Sequence, residues 1–226
     1  MADELPVISV RGEGHLEVDP EIARVSVAVS GRDAHRARTL ELVEARQRAV
    51  REVLDAFADG LEDVETSHVR VAPRYPRRGH GETVVGYTAE VWYTITVAGL
   101  DLAGDLLARL AEVESAQVHG PEWELRPTSP AYRCAREAAV ADAVARASDY
   151  AAALGARLVD VLELADTGLL HHPEREAPHR VRAMALAASA EAGPPSFDLE
   201  SGRRQVEATV EARFTMTAPT LPSEAG

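Results

Sequence analysis

The stretch GYTAEVWYTITV, residues 86–97, has the clearest period-2 pattern in the chain. One face carries aromatic, β-branched and small apolar residues, and threonine, glutamate and tryptophan occupy the positions between them. Alternation of this kind predicts a β-strand with one buried face. Because a single strand cannot hide its own apolar face, we expect other strands to pair with it and helices to cover it.

Working outward from this strand, the same reasoning predicts six more strands, over residues 7–18, 22–31, 64–74, 118–126, 158–164 and 205–217. A helical period predicts three helices, over residues 33–59, 101–113 and 130–154. The order ββαββαβαββ indicates an α+β fold of mostly antiparallel sheets covered by about three helices. The part from the second strand to the fifth has the βαββαβ order of a split βαβ unit.

Four local signals set expectations for the connections. The short turn at Asp19-Pro20 predicts an antiparallel hairpin of the first two strands. Gly60 fits a left-handed C-cap of the first helix, and Asp101 can cap the second. Ser129-Pro130 predicts the start of the longest helix, which is rich in alanine and stops at Gly155.

The domain organisation is expected to be one domain over residues 1–217, either as a single body or with two lobes. Residues 166–203 show no dominant period and predict a long segment that connects or interacts. Within it, the small residues Ala183–Ala190 fit either a docking surface or a loosely ordered loop. Residues 218–226 predict a disordered tail.

Composition excludes several classes of function. The net charge of −13 over 226 residues opposes nonspecific binding to nucleic acid or anionic membranes. All 24 basic residues are arginine, so a Schiff-base lysine and a P-loop lysine are excluded. The first residues show no signal peptide, and no apolar run reaches the length of a membrane span. These features predict a cytoplasmic protein without a membrane span.

Several phrases together resemble the SIMPL-domain family, and their order across nearly the whole chain is more specific than any one of them. They are Ile8–Gly14, Val18–Val25, Val64–Ser67, Pro73–Tyr75, Val85–Ala89, the Ala-rich helix ending at Leu154-Gly155, and the closing strand Val206–Met216.

The resemblance implies an α+β fold, no agreed catalytic residues, and self-assembly in at least some bacterial members. The family includes bacterial periplasmic or envelope immunogenic proteins and an animal adaptor that binds a kinase of inflammatory signalling. Some bacterial relatives are associated with tolerance of oxidative stress. The chain differs from the envelope members in that its first residues show no signal peptide.

The best metal-site candidate is the His/Glu-rich stretch of residues 171–179. Imidazole and carboxylate groups are competent ligands for zinc or a similar ion, and the candidate ligands are His171, His172, Glu174 and His179. Two prolines and the lack of a helix or strand pattern leave these ligands unpositioned, so a solvated loop is the competing interpretation.

Arg74, Arg77 and Arg78 lie on or beside a predicted turn, flanked by tyrosines. Arginine forks beside aromatic rings can hold phosphate, and the alternatives are a charged hairpin tip or a contact with carboxylates of a neighbouring subunit. Cys134, placed in the first turn of the longest helix, is a redox candidate, with a plain structural cysteine as the alternative.

No residues form a recognisable catalytic constellation. Gly12-x-Gly14 lacks the third glycine and the helix of a dinucleotide motif, so it indicates a strand to which another backbone packs closely. We therefore expect no catalytic residues and no cofactor, in a non-enzymatic protein that forms a homo-oligomer and acts through its assembled surface, with a role in stress tolerance. The alternative is a protein or enzyme that binds a metal or small molecule through the 171–179 stretch.

Overall fold

The structure, a computed structural model of the protein, describes residues 5–76, 83–169, 197 and 199–220. Its strands are β1 (Val7–Val18), β2 (Ile22–Asp33), β3 (Leu61–Arg74), β4 (Gly86–Val97), β5 (Ala116–Glu124), β6 (Leu158–Asp166) and β7 (Arg204–Met216). Its helices are α1 (Arg36–Ala56), α2 (Ala103–Ala111) and α3 (Pro130–Ala153). The predicted α+β class and the order ββαββαβαββ are both confirmed.

The chain divides into two compact units, each with its own sheet. Among the described residues, unit 1 contains 5–18, 127–169 and 205–220, and unit 2 contains 19–76, 83–126, 197 and 199–204. The single domain expected over residues 1–217 stays a prediction. Most of the segment predicted over 166–203 lies outside the described residues, as do residues 221–226 of the predicted tail.

Unit 2 is built on a four-stranded sheet in the order β3-β4-β2-β5, in which every neighbouring pair is antiparallel. This order is that of the split βαβ unit predicted from the sequence. The alternation of β4 is confirmed as well: Tyr93 is 3% exposed, and Ile95 and Val97 are fully buried. The buried row of β4 faces Val25, Val27 and Val29 of β2, and α1 and α2 cover this core.

Unit 1 is built on a three-stranded sheet in the order β1-β7-β6. The long helix α3 packs on β1 through a stripe in which every fourth residue is alanine. The stripe is buried and consists of Ala131, Ala135, Ala139, Ala143, Ala147 and Ala151. Phe214 and Met216 of β7 complete this core, so the buried closing strand predicted from the sequence is confirmed.

The two glycines of β1 bring the backbone of α3 unusually close to the strand. A Cβ built on Gly12 would lie 2.7 Å from the Cβ of Ala143, and one on Gly14 would lie 2.7 Å from the amide nitrogen of Ala139. The carbonyl oxygens of α3 would be nearer still. The interpretation of Gly12-x-Gly14 as a site of close backbone approach is therefore confirmed.

The predicted hairpin of the first two strands is wrong. β1 lies in the three-stranded sheet beside β7, whereas β2 pairs with β4 and β5. The chain changes sheets at Asp19-Pro20, and the N–H of Glu21 donates to the carbonyl of Glu124 at 2.9 Å. A short connection brings two strands near each other, but the sheet in which each buries its apolar row decides the pairing.

Both cap predictions before residue 129 are wrong, and the one at Ser129 is confirmed. Gly60 does not have a positive φ and lies in a 3₁₀ turn. The Cδ1 atom of Leu102 would lie 2.5 Å from a Cβ added to Gly60, so the packing of Leu102 favours glycine at this position. Asp101 lies inside a 3₁₀ turn before α2 and makes no cap hydrogen bond. Ser129 accepts a hydrogen bond from the N–H of Ala131 at 3.2 Å, at the start of α3.

We predict that Gly12→Ala lowers the free energy of unfolding by about 2–3 kcal/mol, because the new methyl group collides with the backbone of α3, which cannot rotate away. Thermal and urea denaturation measure the loss. Gly202→Ala is the matched control, since no described residue lies within 4 Å of a Cβ there, and its effect should stay within about 0.5 kcal/mol. Equal stability of the two variants would contradict the packing described for α3.

Candidate functional site

Three arginines of unit 2 surround one threonine on the sheet face opposite the helices. In the sheet register, Arg32 of β2 is opposite Thr88 of β4, and Thr88 is opposite Ala72 of β3. Arg70 and Arg74 flank Ala72 on the same face of β3, because side chains two residues apart point the same way. We call the group of Arg32, Arg70 and Arg74 the arginine cleft.

The arginine cleft encloses an open cavity of about 580 Å³. Ala72 and Thr88 are the small residues of its floor, and Tyr75 and Val85 lie at one end. The N–H of Val85 donates to the carbonyl of Arg74 at 2.8 Å, which fixes the backbone of Arg74 beside β4. A cavity of this size falls within the range of small-molecule sites.

The arginines of the cleft form no ion pair or side-chain hydrogen bond with any residue that the structure describes. Ten arginines elsewhere in the described ranges do form ion pairs within 4.0 Å. Glu90 lines the same cavity, opposite Arg70 in the register, but its carboxylate lies beyond 4.0 Å of each guanidinium group. Among the described residues, the cleft thus presents three cations and one carboxylate to solvent.

The structure places one of the three arginines singled out from the sequence in this cleft. Arg74 lines it, while Arg77 and Arg78 lie outside the described residues. Arg32 and Arg70 were missed, although Arg70 shares its strand face with Arg74 and could have been recognised from the period of two. Arg32 could not, because its position depends on the β2–β4 register.

Unit 1 has a second charged depression, of about 570 Å³, over β1 and β7. Glu211 is buried there, and Arg11 donates to its Oε1 at 3.0 Å. At its edge, the N–H of Glu13 donates to Oδ2 of Asp142 at 2.9 Å, and Nε of Arg146 lies 2.7 Å from the same oxygen. These contacts hold the pKa of Asp142 below its ordinary value, the backbone hydrogen bond from Glu13 being the main cause.

Strand β6 exposes apolar side chains that the other described residues of unit 1 do not cover. Val159, Val161, Leu162 and Leu164 are each more than half exposed, and we call these four residues the β6 strip. Val161 is opposite Phe214 and Leu164 is opposite Ala212, so both lie on the sheet face that α3 packs against. β6 is an edge strand of the sheet that the described residues form.

Of the remaining site residues predicted from the sequence, the described part of the chain contains Cys134 alone. His171, His172, Glu174 and His179 lie outside the described residues, and their metal site stays a prediction. Within the described ranges, no group of three or more His, Cys, Asp or Glu side chains is arranged to hold a metal ion. Cys134 is the fifth residue of α3, one position beyond the first turn, and its side chain is exposed; its redox role stays a prediction.

The fold is that of an α+β protein whose second unit is a split βαβ sandwich of one sheet and two helices. The family model SIMPL, described as protein of unknown function (DUF541), matches residues 8–214. The chain belongs to the SIMPL family, and the resemblance identified from the sequence is confirmed.

Two relatives carry the name "26 kDa periplasmic immunogenic protein", one from Brucella melitensis biotype 1 and one from Brucella abortus strain S19. Each is 30% identical to this chain over 191 residues, which cover 80% of this chain and 74% of the relative. The prediction of a cytoplasmic location is contradicted by these relatives, since both are named as periplasmic proteins. That prediction used two absences, of a signal-peptide pattern in the first residues and of a membrane span, and neither absence determines location. No helix that the structure describes is long and apolar enough to cross a membrane.

We predict that Asp142→Asn makes stability less dependent on pH in acid. Because the folded-state pKa of Asp142 is lowered, its carboxylate stabilises the fold above its ordinary pKa of about 4, and this contribution is lost as pH falls through the lowered value. The wild type should therefore melt higher than the variant at about pH 7, and the difference should shrink toward about pH 3.

Melting temperatures of both proteins across this range test the expectation. Asp149→Asn is the control, because it makes the same change at an exposed position on the same helix. A difference between wild type and Asp142→Asn that stays constant from neutral to acid pH would show that the hydrogen bond from Glu13 does not act on the ionised form.

Proposed function

We propose that the protein is a non-enzymatic member of the SIMPL family that works in the periplasm, assembles with copies of itself and acts through the assembled surface. The observation that supports self-assembly is the β6 strip, whose four apolar side chains lie close together in sequence and are each more than half exposed. The periplasmic location is supported by the names of the two Brucella relatives.

A second copy of the chain is the occupant that the β6 strip fits best. Interfaces between identical subunits are the most apolar class of protein interface, and the strip consists of valine and leucine side chains. Covering their exposed halves in two copies is worth on the order of 6–12 kcal/mol by transfer free energies. This gain is comparable with the cost of association, about 4–15 kcal/mol, so contacts beyond the strip are needed for tight assembly.

The net charge opposes assembly. Each chain carries −13, so two copies repel one another through unpaired carboxylates. Salt screens exposed charges that lie more than a Debye length apart and leaves apolar contacts in place. Assembly through the β6 strip should therefore strengthen as salt is added.

We predict that Leu164→Arg reduces the mass of the particle toward that of a single chain, 24.3 kDa. An arginine within the strip leaves a charge in an apolar contact, which costs several kcal/mol unless it is paired. Light scattering coupled to size-exclusion chromatography at micromolar concentration measures the mass. The substitution lowers the net negative charge, so a loss of assembly could not be assigned to added repulsion.

Leu40→Arg is the matched control, because Leu40 is an exposed leucine on α1, outside the strip. It should leave the mass unchanged, and circular dichroism should show that both variants are folded. A wild-type protein that is a strict monomer would overturn the proposal of self-assembly. If Val69→Arg on β3 lowers the mass and Leu164→Arg does not, the proposal for β6 is wrong although self-assembly holds.

Three further parts of the proposal have direct tests. Osmotic-shock fractionation of the native host should recover the full-length protein with periplasmic markers. A role in stress tolerance, which the family resemblance suggested, predicts that a deletion strain survives peroxide less well than its parent. The alternative of a metal-binding protein predicts a stoichiometric ion by elemental analysis that is lost when His171 and His172 are replaced.

A further inference from the structure

We propose that the arginine cleft of unit 2 binds a small molecule through a phosphate or pyrophosphate group. This inference rests on Arg32, Arg70 and Arg74 and does not depend on self-assembly, which was argued from the β6 strip of unit 1. A failure of either proposal therefore leaves the other standing.

The placement of the three arginines suits one anion held from several sides. Arg70 and Arg74 are four residues apart on β3, which separates their Cα atoms by about 13 Å. Arg32 lies two strands away from β3, about 10 Å across the sheet. Long side chains from these three positions can converge above Thr88, whose hydroxyl group offers a further donor at the centre.

Phosphate matches this arrangement better than a single carboxylate does. A guanidinium group presents a planar fork that can donate two hydrogen bonds to one oxyanion, and three forks exceed the acceptor sites of a carboxylate. A phosphate or pyrophosphate has more oxygens and more charge to share among them. The cavity of about 580 Å³ leaves room for the rest of a small molecule beside Tyr75.

The acidic character of the whole chain does not prevent anion binding here. At physiological salt the Debye length is about 8 Å, so an anion in the cleft interacts mainly with the charges that line it. Among the described residues, those charges are three guanidinium groups and the carboxylate of Glu90. Because none of the three arginines has a carboxylate partner among the described residues, binding requires no ion pair to be broken.

Isothermal titration of the full chain with sodium pyrophosphate at low salt tests the proposal. We expect saturable binding that weakens as salt is raised. Arg70→Gln and Arg74→Gln should each weaken binding at least tenfold, because each removes a charge-assisted hydrogen-bond donor. Glu90→Gln should strengthen binding severalfold, since it removes the carboxylate that lines the cleft among the described residues and repels the anion.

Arg36→Gln is the matched control, because Arg36 is an exposed arginine of the same unit that does not line the cleft. It removes the same charge and should leave pyrophosphate affinity within about twofold of wild type. None of these positions is buried, so we expect all the variants to fold. Melting temperatures equal to that of the wild type will show that they do.

The source of the phosphate group is distinguished by a second arm with phosphatidylglycerol vesicles. Retention on vesicles that pyrophosphate competes away would assign the cleft to lipid headgroups, and pyrophosphate binding without retention would assign it to a soluble phosphate compound. No saturable pyrophosphate binding, or equal weakening by Arg36→Gln, would overturn the proposal. A third result would also overturn it. If Arg70→Gln changes the particle mass but not the affinity for pyrophosphate, the cleft is a contact between subunits.

Discussion

The packing of α3 against β1 is the constraint on which unit 1 depends. The helix presents alanine at every fourth position, and the strand presents Gly12 and Gly14 where the backbones come closest. Because neither surface carries a side chain larger than a methyl group at these points, no rotamer change can relieve an added atom. The helix can therefore pack on the strand in only one position. This close fit replaces the interdigitation of large side chains that secures most cores, such as that of unit 2.

The same geometry explains why α3 leaves most of β6 uncovered. A helix is about 10 Å across and neighbouring strands are about 4.8 Å apart, so one helix covers roughly two strands. With α3 placed over β1, strand β6, which is third in the order β1-β7-β6, extends beyond the helix. Unit 2 repeats the effect: α1 and α2 pack over β2, β4 and β5, and the valines of β3 at positions 64, 69 and 71 are exposed. Apolar edges of this kind are binding surfaces or aggregation sites in soluble proteins, which is the physical reason for proposing self-assembly at β6.

The sequence predicted what is local and missed what depends on distant partners. The bounds of β1 and β4 agree with the structure because alternation is written into consecutive residues. The start of α3 was predicted for the same reason, since Ser129 and Pro130 act on their own helix. The hairpin prediction for β1 and β2 was wrong because β1 lies beside β7, at the far end of the chain. Of the arginine cleft, only Arg74 was found, since Arg32 joins it through a register that no local pattern encodes.

The two proposed surfaces should respond to salt in opposite directions, because one is apolar and the other is charged. The β6 strip is apolar, so screening removes only the repulsion between acidic chains and favours contact between them. The ligand proposed for the arginine cleft would be attracted by charge, so screening should weaken its binding. A single interface made of both surfaces would show one salt dependence for ligand binding and assembly together. β6 and the arginine cleft belong to different sheets and share no side chain. Two independent sites should therefore show assembly that strengthens with salt and ligand binding that weakens with salt.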